Sequence, residues 1–177
     1  MSPEPQTDDL HPSAARVAEW AQARGLELQI HEYPEDGART AQDAANAVGA
    51  TVDQIVKSMI FAIPPAENEP EEDRPELVLA LTAGSHRVDP DRLAAIAEAE
   101  RCGRADPRDV RDATGYAIGG VPPFGHRREL RTWIDPHLLT LDELWAAAGT
   151  PRHVFPIDPE RLVELTGATV ADFTAEG

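Results

Sequence analysis

The sequence predicts one α/β (α+β) domain in which short helices flank a mixed central β-sheet. Three observations carry that expectation. The 177 residues suffice for a single buried core. Helix-start and helix-stop signals recur in short units, and apolar runs of strand length lie between them. Hydrophobic residues make up 41% and charged residues 27%, the mixture of an ordinary globular protein and not of a disordered chain. We place the domain at residues 13–175, after a flexible N-terminal segment of residues 1–12.

Residues 13–24 bring Val17, Trp20 and Ala21 to one helical face and stop before Gly25, which predicts an amphipathic helix. Leu26, Leu28 and Ile30 alternate with Glu27 and Gln29, the pattern of a half-buried strand. Thr40 and Asp43 open a short helix that ends at Gly49, and Thr51 with Gln54 has capping-box spacing. Residues 56–63 are apolar on both faces except at Lys57 and Ser58, as in a central strand.

The acidic, proline-rich run 64–75 reads as a solvated loop, and residues 76–82 resume as a strand. Asp89-Pro90 begins a helix through Ala99, and Asp106-Pro107 begins another that Gly115 ends. A strand at 116–118 then enters the loop 119–126, followed by a strand at 130–134. Thr140 with Glu143 predicts a helix stopping at Gly149, residues 154–157 a short strand, Asp158-Pro159 a last helix ending at Gly167, and residues 169–173 a terminal strand.

Composition excludes several functions. No apolar run approaches the roughly 20 residues of a membrane span, and the first ten residues are acidic where a signal peptide would be basic and then apolar, so a cytoplasmic protein without a membrane partner is expected. Cys102 is the only cysteine, which rules out an intrachain disulfide and a Cys-rich zinc site. Histidines at 11, 31, 86, 126, 137 and 153 lack the helical pairing of a metalloprotease, and we expect neither metal nor cofactor. The net charge of −16 repels polyanions, so any RNA contact must be local.

Two features suggest chemistry. The 16 basic residues comprise fifteen arginines and a single lysine, Lys57, placed at the start of an otherwise apolar strand. An ammonium there needs water or an anionic partner. Snorkelling to the surface would answer that need, and so would a pocket in which it meets a substrate oxygen. The second feature is the run Gly119-Gly120-Val121-Pro122-Pro123-Phe124-Gly125, whose glycines admit close backbone approach and whose prolines fix the path. It reads either as a tight turn or as a ligand loop donating amides from Gly119, Gly120, Val121, Phe124 and Gly125. It lacks the GK[ST] ending of a Walker loop. His126 beside it could carry a proton or serve structure.

AQDAANAVGATVDQIVKSMIFA at 41–62, LTAGSHRVD at 81–89, and TGYAIGGVPPFGH at 114–126 followed by Thr132-Trp133-Ile134-Asp135 together resemble the YbaK/ProX-type aminoacyl-tRNA deacylase family. Order and spacing match from near Ala14 to Phe173. The resemblance implies hydrolysis of mischarged tRNA, often tRNA for proline, without a metal or a protein nucleophile. It implies that Lys57 and the backbone of Gly119, Gly120 and Val121 surround the terminal adenosine and its aminoacyl group. Substrate-binding roles follow for Tyr33, Ser58, Pro122, Pro123, Phe124, Gly125, His126 and Asp135. Pro122 departs from relatives that carry serine or another hydrogen-bonding residue, which affects the choice of amino acid.

The implied partner is the acceptor end of mischarged tRNA, with room for an aminoacyl-tRNA synthetase as a second. Arg127, Arg128 and Arg131 adjoin the loop and are the favoured RNA contacts. Arg104, Arg108 and Arg111 form a second group that reads equally as a solvated face paired with nearby aspartates. The alternative to an enzyme is a binding module that keeps the pocket and regulates through tRNA or a synthetase.

Overall fold

The computed structural model describes residues 10–33, 39–65 and 74–175. Helix α1 is Pro12–Gln22 and α2 is Ala41–Val48, α2 closed at its start by the reciprocal Thr40/Asp43 capping box. Strands β1 (His31–Glu32), β2 (Ile55–Ile63) and β3 (Glu76–Ala83) follow the chain to α3 (Pro90–Ile96), β4 (Gly103–Arg104) and α4 (Pro107–Thr114). Next come β5 (Arg131–Ile134), β6 (Leu144–Ala147), β7 (His153–Ile157), α5 (Pro159–Thr166) and β8 (Thr169–Val170). Asp89, Asp106 and Asp158 each cap a helix whose first residue is proline, because a carboxylate accepts the free amides of the first turn and proline has none to lose.

The strands form one mixed sheet in the order β1-β7-β6-β2-β3-β5-β8, with β4 also on β2. The β2–β3 pair is a long antiparallel hairpin that sets Lys57 opposite Thr82, while β6 joins β2 in parallel. Both faces of β3 are buried. Leu77, Leu79, Leu81 and Ala83 enter one core with Val17, Phe124 and Phe155, and Val78 and Ala80 enter another with Leu93, Trp133 and Phe173. That two-sided burial explains why the residues from Leu77 to Leu81 run without polar interruption.

Five expectations change. The alternating residues 26–30 do not pair; only His31 and Glu32 do, against β7. Residues 116–118 form no strand but a turn in which the Gly120 amide donates to the Ala117 carbonyl at 3.0 Å. The helix expected from Thr140 is instead the end of a 3-10 turn, Pro136–Thr140, followed by β6. Leu144, Trp145 and Ala146 are all buried, Trp145 and Ala146 beside Ile55 and Val56 of β2, and a sheet position covered on both faces overrides the local helix signal. Helix α3 stops at Ile96, short of Ala99, and the last strand at Val170. The loop expected at 64–75 falls at 66–73 outside the described residues, as do residues 1–9 of the expected N-terminal segment, whose last residue already begins α1.

Candidate active site

One edge of β2 is interrupted. Against β3 the strand pairs along its length, but on the other side β6 takes Ile55 and Val56 and β4 takes Phe61 and Ala62. Among the described residues, no strand therefore faces residues 57–59 between them. A cleft of about 380 Å³ opens at this notch, with Lys57, Ser58 and Met59 in its wall. Gly119 and Val121 form another part of the wall and Tyr33 another, so residues far apart in sequence converge on one hollow.

The glycine loop reaches the cleft by close packing on the 149–152 turn. Gly119 has φ 93°, a left-handed value that side chains rarely adopt, and a Cβ on Gly120 would stand 2.5 Å from the Thr150 Cα. With the Gly120 amide engaged by Ala117, the amides of Gly119 and Val121 remain without a partner among the described residues. The loop then leaves the cleft. Pro123, Phe124, Gly125 and His126 line a second hollow of about 490 Å³ with Trp20 and Arg128. There the Phe124 ring stacks on Trp20 at 4.6 Å between centroids. The His126 Nε2 lies 2.7 Å from the Pro122 carbonyl oxygen, and burial pushes its pKa down, so the ring is neutral near pH 7.

Lys57 is half-buried, and its ammonium donates to the carbonyl oxygen of His86. Desolvation lowers its pKa first, Arg87 adds to the effect, Asp135 opposes it, and Arg104 lowers it further. Asp135 does not reach the cleft; it is buried behind it, accepting from His86 Nδ1 at 2.7 Å and from the amides of Ala83 and His137 at 3.2 and 3.0 Å. Tyr33 is buried in the wall and its pKa is pushed up to about 12, which keeps the phenol a hydrogen-bond donor. The Ser58 hydroxyl is buried with no partner among the described residues.

The arginines beside the loop do not gather on the Lys57 cleft. Arg131 is held by Glu76 through two bonds of 2.7 and 2.8 Å, Arg127 packs beside Gly115, and Arg128 lines the second hollow. Arg104 of the other group does line the cleft. Sequence reasoning missed His153, which also stands in the wall, with Nδ1 2.6 Å from the Thr150 hydroxyl and a pKa lowered by burial. It missed His86 as well. Both act through tertiary placement, and only the proximity of S-H-R to the Lys57 strand in a hairpin could have hinted at the second.

Among the described residues, the cleft wall holds no carboxylate and no thiol. Its lining residues carry an ammonium, the guanidiniums of Arg39 and Arg104, the amides of Gly119 and Val121, a phenol, hydroxyls and an imidazole beside apolar Ala44, Ile55 and Val154, a set that can bind and polarise a carbonyl.

The model of the aminoacyl-tRNA editing domain family matches residues 35–165. A solved structure presented as a candidate trans-editing enzyme for prolyl-tRNA synthetase is 42% identical with a TM-score of 0.83, over 96% of this chain and 100% of that one. A proline--tRNA ligase of Limosilactobacillus fermentum is 30% identical over 114 residues, which are 64% of this chain and 19% of the ligase, so the chain spans about a fifth of that relative. EbsC of Enterococcus faecalis, a candidate Cys-tRNA(Pro)/Cys-tRNA(Cys) deacylase, is 20% identical over 137 residues, 77% of this chain and 78% of that protein.

Proposed function

The chain belongs to the aminoacyl-tRNA editing domain family, and from that premise we propose that it hydrolyses the ester of mischarged aminoacyl-tRNA in trans, in translation quality control. The observation that carries the reading is the convergence on one cleft of about 380 Å³ of Lys57 with Gly119 and Val121, whose amides have no partner among the described residues.

An aminoacyl ester is already activated. Water, or the neighbouring ribose hydroxyl ahead of water, adds to the ester carbon; the carbonyl oxygen takes up negative charge, the bond to the ribose oxygen breaks, and that oxygen receives the proton. The protein's task is to orient the ester and stabilise the oxyanion. The Gly119 and Val121 amides suit the oxyanion, and one such donor is commonly worth about 10²–10³ in rate. The Lys57 ammonium, fixed by the His86 carbonyl, orients the ester from the other wall. The apolar surface of Ala44, Ile55 and Val154 fits a small side chain of the charged amino acid.

The substrate is tRNA for proline carrying cysteine, alanine, serine or threonine; the names of the prolyl ligase and EbsC relatives support the proline tRNA and, among the amino acids, cysteine. The test is deacylation of tRNA charged with each of these and with proline, by wild type, Lys57→Ala and Lys57→Arg. Cleavage of one or more mischarged species by the wild type alone is expected. Equal cleavage by Lys57→Ala would remove Lys57 from the mechanism.

A further inference from the structure

A second hollow, of about 220 Å³, shares Lys57, Met59 and Arg104 with the cleft already described. Its floor is Phe61, Val88 and Pro90, and its remaining polar wall is Arg87. Three cations thus line it and, among the described residues, no carboxylate does, in a chain with 32 acidic residues against 16 basic ones. The arrangement follows from the fold. Lys57, Met59 and Phe61 alternate along one face of β2, Arg104 is registered opposite Phe61 on β4, and Arg87 follows the turn after β3.

Neither guanidinium is committed elsewhere. Arg87 and Arg104 are exposed and make no ion pair among the described residues, unlike Arg131 with Glu76 or Arg161 with Glu164. Both repel the Lys57 ammonium, and Asp135, which opposes them, is buried behind the strand and already receives three hydrogen bonds. An anion in the hollow would relieve that repulsion. Guanidinium forks match the paired oxygens of a phosphate, and the space is several times the roughly 30 Å³ share of a water molecule.

We propose that the hollow between Lys57, Arg87 and Arg104 is a subsite for a phosphodiester of the RNA 3′ end, the one on the 5′ side of the acylated adenosine. The assignment rests on the editing reading, since it places the acylated ribose in the adjoining cleft. It locates the RNA contact next to Lys57 and away from the Arg127–Arg131 segment. It also reconciles an RNA substrate with a strongly acidic protein: the attraction is confined to one notch.

The test uses two inert adenosines that carry alanine through an amide at the 3′ position, one with a free 5′ hydroxyl and one with a 5′ methyl phosphodiester. Their binding to wild type and to an Arg87→Gln/Arg104→Gln double variant is measured by calorimetry at several salt concentrations. The wild type should prefer the phosphodiester probe by about tenfold, as expected for charge-assisted contacts. Salt should erode that margin, and the double variant should lose it. No preference in the wild type, or a preference that survives in the double variant, would overturn the subsite. Cleavage of charged tRNA by the wild type, assayed alongside, reports on the editing reading separately: cleavage without the margin sinks the subsite alone, and the margin without cleavage sinks the hydrolase alone.

Discussion

His86 Nδ1 donates to the buried carboxylate of Asp135 at 2.7 Å, and the carbonyl of the same histidine accepts from the Lys57 ammonium. A carboxylate outside the cleft thereby fixes the turn that holds the lysine within it. Asp135→Ala should leave three donors without an acceptor and cost at least about 2 kcal/mol in denaturant unfolding. It should also lower kcat for charged tRNA more than it changes KM, since Lys57 loses its fixed partner. His86→Ala, which keeps the carbonyl, should be milder on both measures. Loss of stability with kcat intact in Asp135→Ala would reduce the carboxylate to a purely structural role.

Gly119 and Gly120 should respond differently to the same methyl group. Alanine at 120 would bring Cβ to 2.5 Å from the Thr150 Cα, backbone that cannot yield cheaply, whereas at 119 the nearest atom is a Pro151 side-chain carbon at 3.5 Å and the cost is the left-handed φ of 93°. Gly119→Ala is expected to lose about 1–2 kcal/mol. Gly120→Ala should lose more and should displace the loop from the cleft, visible as lost deacylation even below the melting range. Equal stabilities for the two variants would contradict the packing of this loop on Thr150.

Much of this architecture was readable because its signals are local. The Thr40/Asp43 box, the Thr51/Gln54 box and the Asp-Pro helix starts each satisfy backbone groups within four residues, so sequence alone places them. The segment around Trp145 was misread because a strand is defined by its neighbours: the pairing of Ile55 with Trp145 spans about half of the chain and overrides Thr140 and Glu143. The site divides the same way. Lys57 stands out as the single lysine, and Gly119 as part of a glycine and proline run. His153 carries no local mark, and His86 and Arg87 lie within LTAGSHRVD without any sign of a role, because each matters only through where β7 and the turn after β3 bring it.

Lys57 gives activity and stability opposite pH trends. Burial and the charge of Arg87 lower its pKa in the folded protein, while the unfolded chain keeps an ordinary lysine value of about 10.4. Between those two values the unfolded state binds more protons, so this group makes folding more favourable as pH rises through the window. Over the same window the folded protein loses the ammonium that the reaction uses. Deacylation, corrected for spontaneous ester hydrolysis, should fall with rising pH at a lower pH than a free lysine would dictate. The residual rate of Lys57→Arg should stay flat there, because guanidinium remains charged. A matching fall in that variant would assign the titration to another group.

Ser58 separates stability from function most directly. Its hydroxyl is buried with no partner among the described residues, beside a lysine that is itself desolvated. An unsatisfied buried hydroxyl carries a desolvation penalty that a methyl group does not, so Ser58→Ala should stabilise the fold by up to about 1 kcal/mol in denaturant titration. If the hydroxyl rotates to meet the aminoacyl ester when substrate enters, the same substitution should slow deacylation several-fold. A gain in stability with unchanged turnover would show that the residue is tolerated strain and no part of the reaction. A loss of stability would mean that the hydroxyl has a partner in solution, and would argue against its being held in reserve for substrate.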